Sequence, residues 1–240
     1  MFVIMALTSQ AVHSTWTGKA RNNNWTAAGN WNNGIPDSIS DSVVFRDTRR
    51  VGTILNTGFT LGSGQTMTAD FSRGDLVFRI GDLGATGELR FAAGSTLAFD
   101  HGGIIAEHGH LNQRIVIEDG ATLSALRYYP DDSFTTIFEA GSSGVTTFYT
   151  TDSSGACSLK TSGALVVDLT GYTGGAGDLV LFDYVKRSKD VFSSIKVTGA
   201  SGELVEGVDF TFDYNKDPGN GCRRGVISII SRRQTLGLID

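Results

Sequence analysis

Cysteine, proline and lysine are all scarce in this chain of 240 residues, and each scarcity narrows the field. The two cysteines, Cys157 and Cys222, lie too far apart for a zinc or Cys-x-x-Cys pattern, which excludes metal-ribbon and thioredoxin-like readings. In an oxidising compartment they could close one disulfide, worth about 2–4 kcal/mol through restriction of the unfolded chain. Two unpaired thiols are the equal alternative. Only 3 prolines are present, so glycine has to supply the corners. Lysine numbers 6 against 14 arginines, the formal net charge is −5, and no basic stripe is sustained. Nucleic acid, whose phosphates demand lysine and arginine, is excluded as a partner. The pairs Arg49-Arg50, Arg223-Arg224 and Arg232-Arg233 read as solvated turn charges. No stretch approaches the roughly 20 apolar residues that span a bilayer, so no membrane span is expected. Residues 1–14, MFVIMALTSQAVHS, read either as a signal-peptide remnant or as an ordinary first strand.

Helical periodicity is missing too. Apolar residues alternate or cluster in short runs bounded by Gly, Ser, Asn or Asp, which predicts strands over 42–45, 75–80, 88–91, 96–99, 114–118, 146–150, 164–169, 178–185 and 225–230. Glycine is in excess, at 31 residues where usual composition gives roughly 17. It falls between β-branched and aromatic runs, as tight corners with positive φ require. The segment Leu89–Phe99 aligns with Ile115–Ala125: strand, glycine corner, Thr-Leu, strand. Gly58-Phe59-Thr60-Leu61 is a third, partial copy; aligning Gly58 with Gly94 requires a loop insertion between coils. Repeats of roughly 20–50 residues indicate stacked coils, each covering its neighbour's apolar face. A jelly-roll-like β-sandwich is the alternative, since hairpins can produce similar corners. The expected organisation is a β-solenoid over 15–173 with a Trp/Asn-rich N-terminal cap, a C-terminal β cap over 174–230 and a polar tail over 231–240.

Several segments carry a family resemblance. Trp16-Thr17-Gly18, Asn24-Trp25, Gly29-Asn30-Trp31, Pro36-Asp37 and Ser42-Val43-Val44-Phe45 resemble the opening of secreted bacterial proteins with autotransporter-associated β-strand repeats, often of the PEP-CTERM kind. Val166–Leu169, Leu179–Tyr184, Phe192 and Val208–Tyr214 are similar to that family's closing strands. The sorting tail itself, a Pro-Glu-Pro box with a membrane helix and basic end, is absent from the sequence. The resemblance implies a right-handed parallel β-helix fold and a secreted or outer-envelope location, without implying one activity.

Four constellations invite chemistry. Trp16, Trp25 and Trp31, with Asn24 and Asn30 among their neighbours, could stack on sugar rings and bond their hydroxyls; equally, a tryptophan cluster is the natural plug for an open solenoid end. His108 and His110 share one face of a strand and could chelate a metal, against the reading of a glycine-rich corner with solvated imidazoles. Nucleophile elbows and phosphate loops are missing, so no cofactor is expected. Carboxylates are the abundant acid/base groups, which makes a carboxylate-dependent hydrolase the one enzymatic alternative. Val166-Val167-Asp168-Leu169-Thr170-Gly171 loosely resembles the Asp-Thr-Gly loop of aspartic peptidases with a leucine inserted, and Asp152-Ser153-Ser154-Gly155 is a second loose echo. Asp152 and Asp168 are therefore the catalytic candidates of a mucin-type glycoprotein hydrolase, while Asp131, Asp132 and Glu139 mark a cleft loop suited to glycosides. The leading expectation is a non-enzymatic solenoid module that contacts carbohydrate or glycoprotein at the cell surface.

Overall fold

A computed structural model describes residues 13–20, 22–36, 41–46, 53–70, 77–84, 87–106, 113–152, 157–219 and 222–230. The expected leader, except His13 and Ser14, and the expected tail lie outside the described residues, as do His108 and His110. The strands in chain order are β1 (His13–Trp16), β2 (Ser42–Arg46), β3 (Thr53–Leu55), β4 (Phe59–Leu61), β5 (Thr66–Asp70), β6 (Val77–Ile80), β7 (Glu88–Phe91), β8 (Thr96–Ala106) and β9 (Gln113–Glu118). There follow β10 (Thr122–Pro130), β11 (Phe134–Glu139), β12 (Phe148–Thr150), β13 (Ala164–Leu169), β14 (Gly177–Tyr184), β15 (Ser194–Gly199), β16 (Gly202–Glu203), β17 (Phe210–Lys216) and β18 (Arg223–Ile229). Among the described residues the only helical turn is a 3₁₀ turn at Ala28–Asn30.

These strands wind into a β-solenoid of about six coils. One sheet stacks β4, β7, β9, β11, β13 and β15 in parallel. The other stacks β1, β2, β5, β8, β10, β12 and β14, also in parallel, with β3 and β6 alongside. Parallel neighbours need a crossover, here the rest of the coil, whereas the hairpins of a sandwich pair antiparallel. That removes the jelly-roll alternative.

Side-chain alternation explains the winding. In β7, β11 and β13 every second residue is buried, so one face of each strand joins the core. Leu61, Phe91, Ile117, Phe138, Val167 and Val197 sit in register on successive coils. Across the core, Val43, Met67, Leu97, Leu123, Phe148 and Phe182 form the facing column. Each coil therefore hides its neighbour's apolar side chains while the backbones exchange hydrogen bonds.

The repeat has the register that the sequence predicts between its two full copies, with Leu89 on Ile115 and Leu97 on Leu123. The third copy is shifted. Phe59 pairs with Leu89 and Thr66 with Thr96, which places Gly64 rather than Gly58 at the corner under Gly94. Gly64, Gly94 and Gly120 all have positive φ; the N–H groups of Gly64 and Gly94 each donate to the next glycine's carbonyl at 3.0 Å, and the Gly120 N–H donates to Thr146 Oγ1 at 2.9 Å. With Gly64 as the corner the offset to Gly94 is 30 residues against 26 between Gly94 and Gly120, so the insertion between coils shrinks to four residues.

Parallel stacking also continues past residue 174. β14 lies on β12 and β15 on β13, both parallel, so the solenoid reaches Gly199. Among the described strands antiparallel ladders appear only with the elements that follow it, β16 on β15 and β18 joining β14 to β17. Phe192, Phe212 and Tyr214 stack over this end at centroid distances of 4.6–6.2 Å.

Candidate functional site

The tryptophans close the first coil. Trp25 is 0% exposed, Trp16 and Trp31 are buried, and all three pack against Phe45. The Trp25 ring lies 4.7 Å from Trp31 and 5.0 Å from Phe59, edge to face, a favourable aromatic arrangement. No indole face is open to stack on a sugar, so the plug reading replaces the ligand reading for Trp16, Trp25 and Trp31. Of the two asparagines singled out with them, Asn30 is spent on backbone. Asn30 is buried; its amide donates to the carbonyls of Asn22 and Asn24, and its oxygen accepts the Ala20 N–H. Asn24 pairs with Ile54 through its backbone as an isolated bridge, and its side chain is exposed. Asn32 Oδ1 takes the Thr15 N–H at 2.7 Å and Asn33 donates to the His13 carbonyl, so side chains blunt the exposed edge of β1.

The two catalytic candidates are not brought together. Asp152 follows β12 on one sheet, is buried, and pairs with Arg127 at 2.5 Å. Asp168 lies in β13 on the other sheet, where its Oδ1 caps the Thr170 N–H at 2.9 Å. A peptidase-like dyad needs two carboxylates sharing one proton, and these two have separate partners. Cys157 and Cys222 are not joined in a disulfide. The Cys157 thiol donates to the Leu159 carbonyl, and burial raises its pKa, which keeps it protonated and unreactive.

A different carboxylate group does assemble, on the outer face of β7, β9 and β11. Arg90 donates to Glu88, Glu118 and Glu139, each at 2.7 Å, and Arg114 meets Glu88 at 3.2 Å. Arg90 is in register with Val116, so its reach to Glu139 crosses over that valine. Val116 is consequently 1% exposed although it points away from the core between Ile115 and Ile117. Burial would raise the Glu118 carboxyl, but the Ala93 N–H and Arg90 outweigh it and hold the acid below its usual range. Glu118 therefore stays a carboxylate and is unsuited to act as a general acid.

A pH dependence follows. Because the Glu118 pKa is lower folded than unfolded, its contribution is complete above the unfolded value of about 4.3 and is lost as pH falls through the folded one. Urea midpoints measured from pH 6 to pH 3 should fall more steeply for the native chain than for Arg90→Met. At pH 7 that variant should cost on the order of 1 kcal/mol, since these groups are partly solvent-screened. Parallel pH profiles would refute the coupling.

A polar groove of about 530 Å³ lies at one corner of the solenoid. Three segments line it, leading into the neighbouring strands β11, β13 and β15: Asp132 from the first, Lys160 and Ser162 from the second, Lys189, Asp190 and Ser193 from the third. Gly163 ties the segments together. Its N–H donates to Asp132 Oδ1 at 3.2 Å, and its carbonyl accepts from the Ser193 N–H at 2.7 Å and the Ser193 hydroxyl at 2.9 Å. Arg187 braces the third segment: it donates to the Asp190 carbonyl and to Thr161 Oγ1, and its guanidinium lies 4.7 Å above the Tyr214 ring. Among the described residues neither Lys160 nor Lys189 meets a carboxylate, so both ammonium groups are available in the groove. Of these residues the sequence points only to Asp132. Lys160 and Lys189 lie in consecutive coils with no motif joining them; the available signal is that Lys160, Lys186 and Lys189 are half of the chain's lysines.

Fold and groove together define a β-solenoid with a polar, lysine-bearing corner. No protein-family model, curated protein or solved structure matches the chain.

Proposed function

We propose that this chain is a secreted or cell-surface solenoid module that binds carbohydrate or glycoprotein in the corner groove. The observation that carries the reading is the groove's chemistry: two unpaired ammonium groups, two carboxylates and two serines spread over three stacked segments. Carboxylates and hydroxyls bond sugar hydroxyls well, and rigid stacked strands hold them without an ordering cost. The volume lies within the roughly 300–1,000 Å³ usual for ligand sites. The opening motif from Trp16 to Phe45 supports the extracellular location through its family resemblance.

A glycan array probed with the full chain tests this. Retention of one or more glycans is expected, and Lys160→Gln/Lys189→Gln should weaken it at least about tenfold with an unchanged melting temperature. An array left blank would remove the reading. The rival hydrolase is tested by incubation with mucin and labelled casein from pH 3 to pH 8. Turnover that vanishes in Asp168→Asn would replace the binding module with an enzyme.

A further inference from the structure

We infer that the corner groove selects an acidic sugar, a uronate or sialate unit whose carboxylate meets Lys160 and Lys189 while its hydroxyls meet Asp132, Asp190 and the two serines; this rests on the carbohydrate reading above. The local charge is the first argument. In a chain with a net charge of −5, Lys160 and Lys189 both line the groove, and Arg187 braces its third segment. A neutral saccharide offers the two ammonium groups only hydroxyl and ring oxygens as acceptors, whereas a carboxylate offers each a stronger bond between opposite charges. The second argument is the pair of acids. Asp132 and Asp190 share the groove with the lysines, so a phosphate-rich or sulfate-rich chain would meet repulsion there. An acidic sugar presents one negative group and several hydroxyl donors, which is the complement of two cations beside two acceptors.

The groove also has a direction. Its three segments lead into successive strands, so a second sugar of the same polymer would lie over the next coil rather than leave the surface. An oligomer should therefore bind more tightly than its monomer.

Calorimetry on the full chain decides the matter, with trigalacturonate and sialyllactose as acidic probes and galactotriose and lactose as their neutral counterparts. At least one acidic probe should bind about tenfold or more tightly than its counterpart, and the preference should shrink between 50 and 200 mM salt. The trigalacturonate and sialyllactose arms separate uronate from sialate. Lys160→Gln/Lys189→Gln should erase the preference while leaving the melting temperature in place. Equal affinity for acidic and neutral probes, or a preference that survives in the double variant, would overturn the inference but leave a carbohydrate-binding module. Failure to bind any of the four probes overturns it as well, and a blank glycan array beside that result removes the parent reading too.

Discussion

Trp25→Ala is expected to lower the free energy of unfolding by about 3–5 kcal/mol, the range for emptying a buried aromatic site. The ring is wholly buried and meets Trp31, Phe59, Phe78 and Phe45, which belong to separate segments and are drawn together around it. The Trp25 carbonyl also accepts the Trp31 indole N–H at 2.7 Å, fixing the second ring of the plug. At the cap the ring is packed by side chains from four segments at once, so collapse around an emptied site would have to move several of them together. Trp25→Phe should lose far less: the Trp25 indole N–H has no partner in its buried site, and removing it relieves an unmet desolvation cost. Urea unfolding followed by circular dichroism checks both variants. A loss below about 1 kcal/mol for the alanine variant would show that the plug does not hold the first coil.

The same tryptophans show what the sequence reveals and where it stops. Alternation is legible wherever a strand has one wet face, as in Glu88–Phe91 and Ala164–Leu169, and those two strands appear with the predicted bounds. The pairing of Leu89 with Ile115 is legible too, because both copies carry the same corner. Composition does not say which side of a strand faces inward at a cap, so Trp16, Trp25 and Trp31 read as binding surface or plug until their burial is known. The boundary at residue 174 misleads for a related reason. β14, parallel to β12 on one side and antiparallel to β18 on the other, has one alternation pattern serving both pairings. The first repeat is misaligned because Gly58 and Gly64 each stand two residues before a Thr or its equivalent, and only the hydrogen bond from Gly64 to Gly94 separates them. The groove was least legible of all. Its residues converge through coil stacking, and a contact made by stacking leaves no local spacing to read.

Gly163→Ala should cost more than about 2 kcal/mol and abolish ligand binding together with stability. Gly163 has φ +72°, a left-handed conformation that strains any residue with a Cβ. A Cβ there would stand 2.2 Å from the Phe134 carbonyl oxygen and 2.7 Å from that of Asp131, so backbone atoms would have to move. The two obstructing carbonyls belong to the turn that carries Asp132, while the glycine's own amide holds the Asp132 side chain and its carbonyl holds Ser193. Displacing this one residue therefore shifts all three groove segments together. Gly144→Ala is the matched control: a Cβ there meets nothing within 4 Å, φ is ordinary, and the change should stay within about 0.5 kcal/mol. Thermal melting and glycan retention measured on both variants separate the cases. If Gly163→Ala melts with the native chain and still binds, the corner is not built around that glycine and the groove is not the rigid site described above.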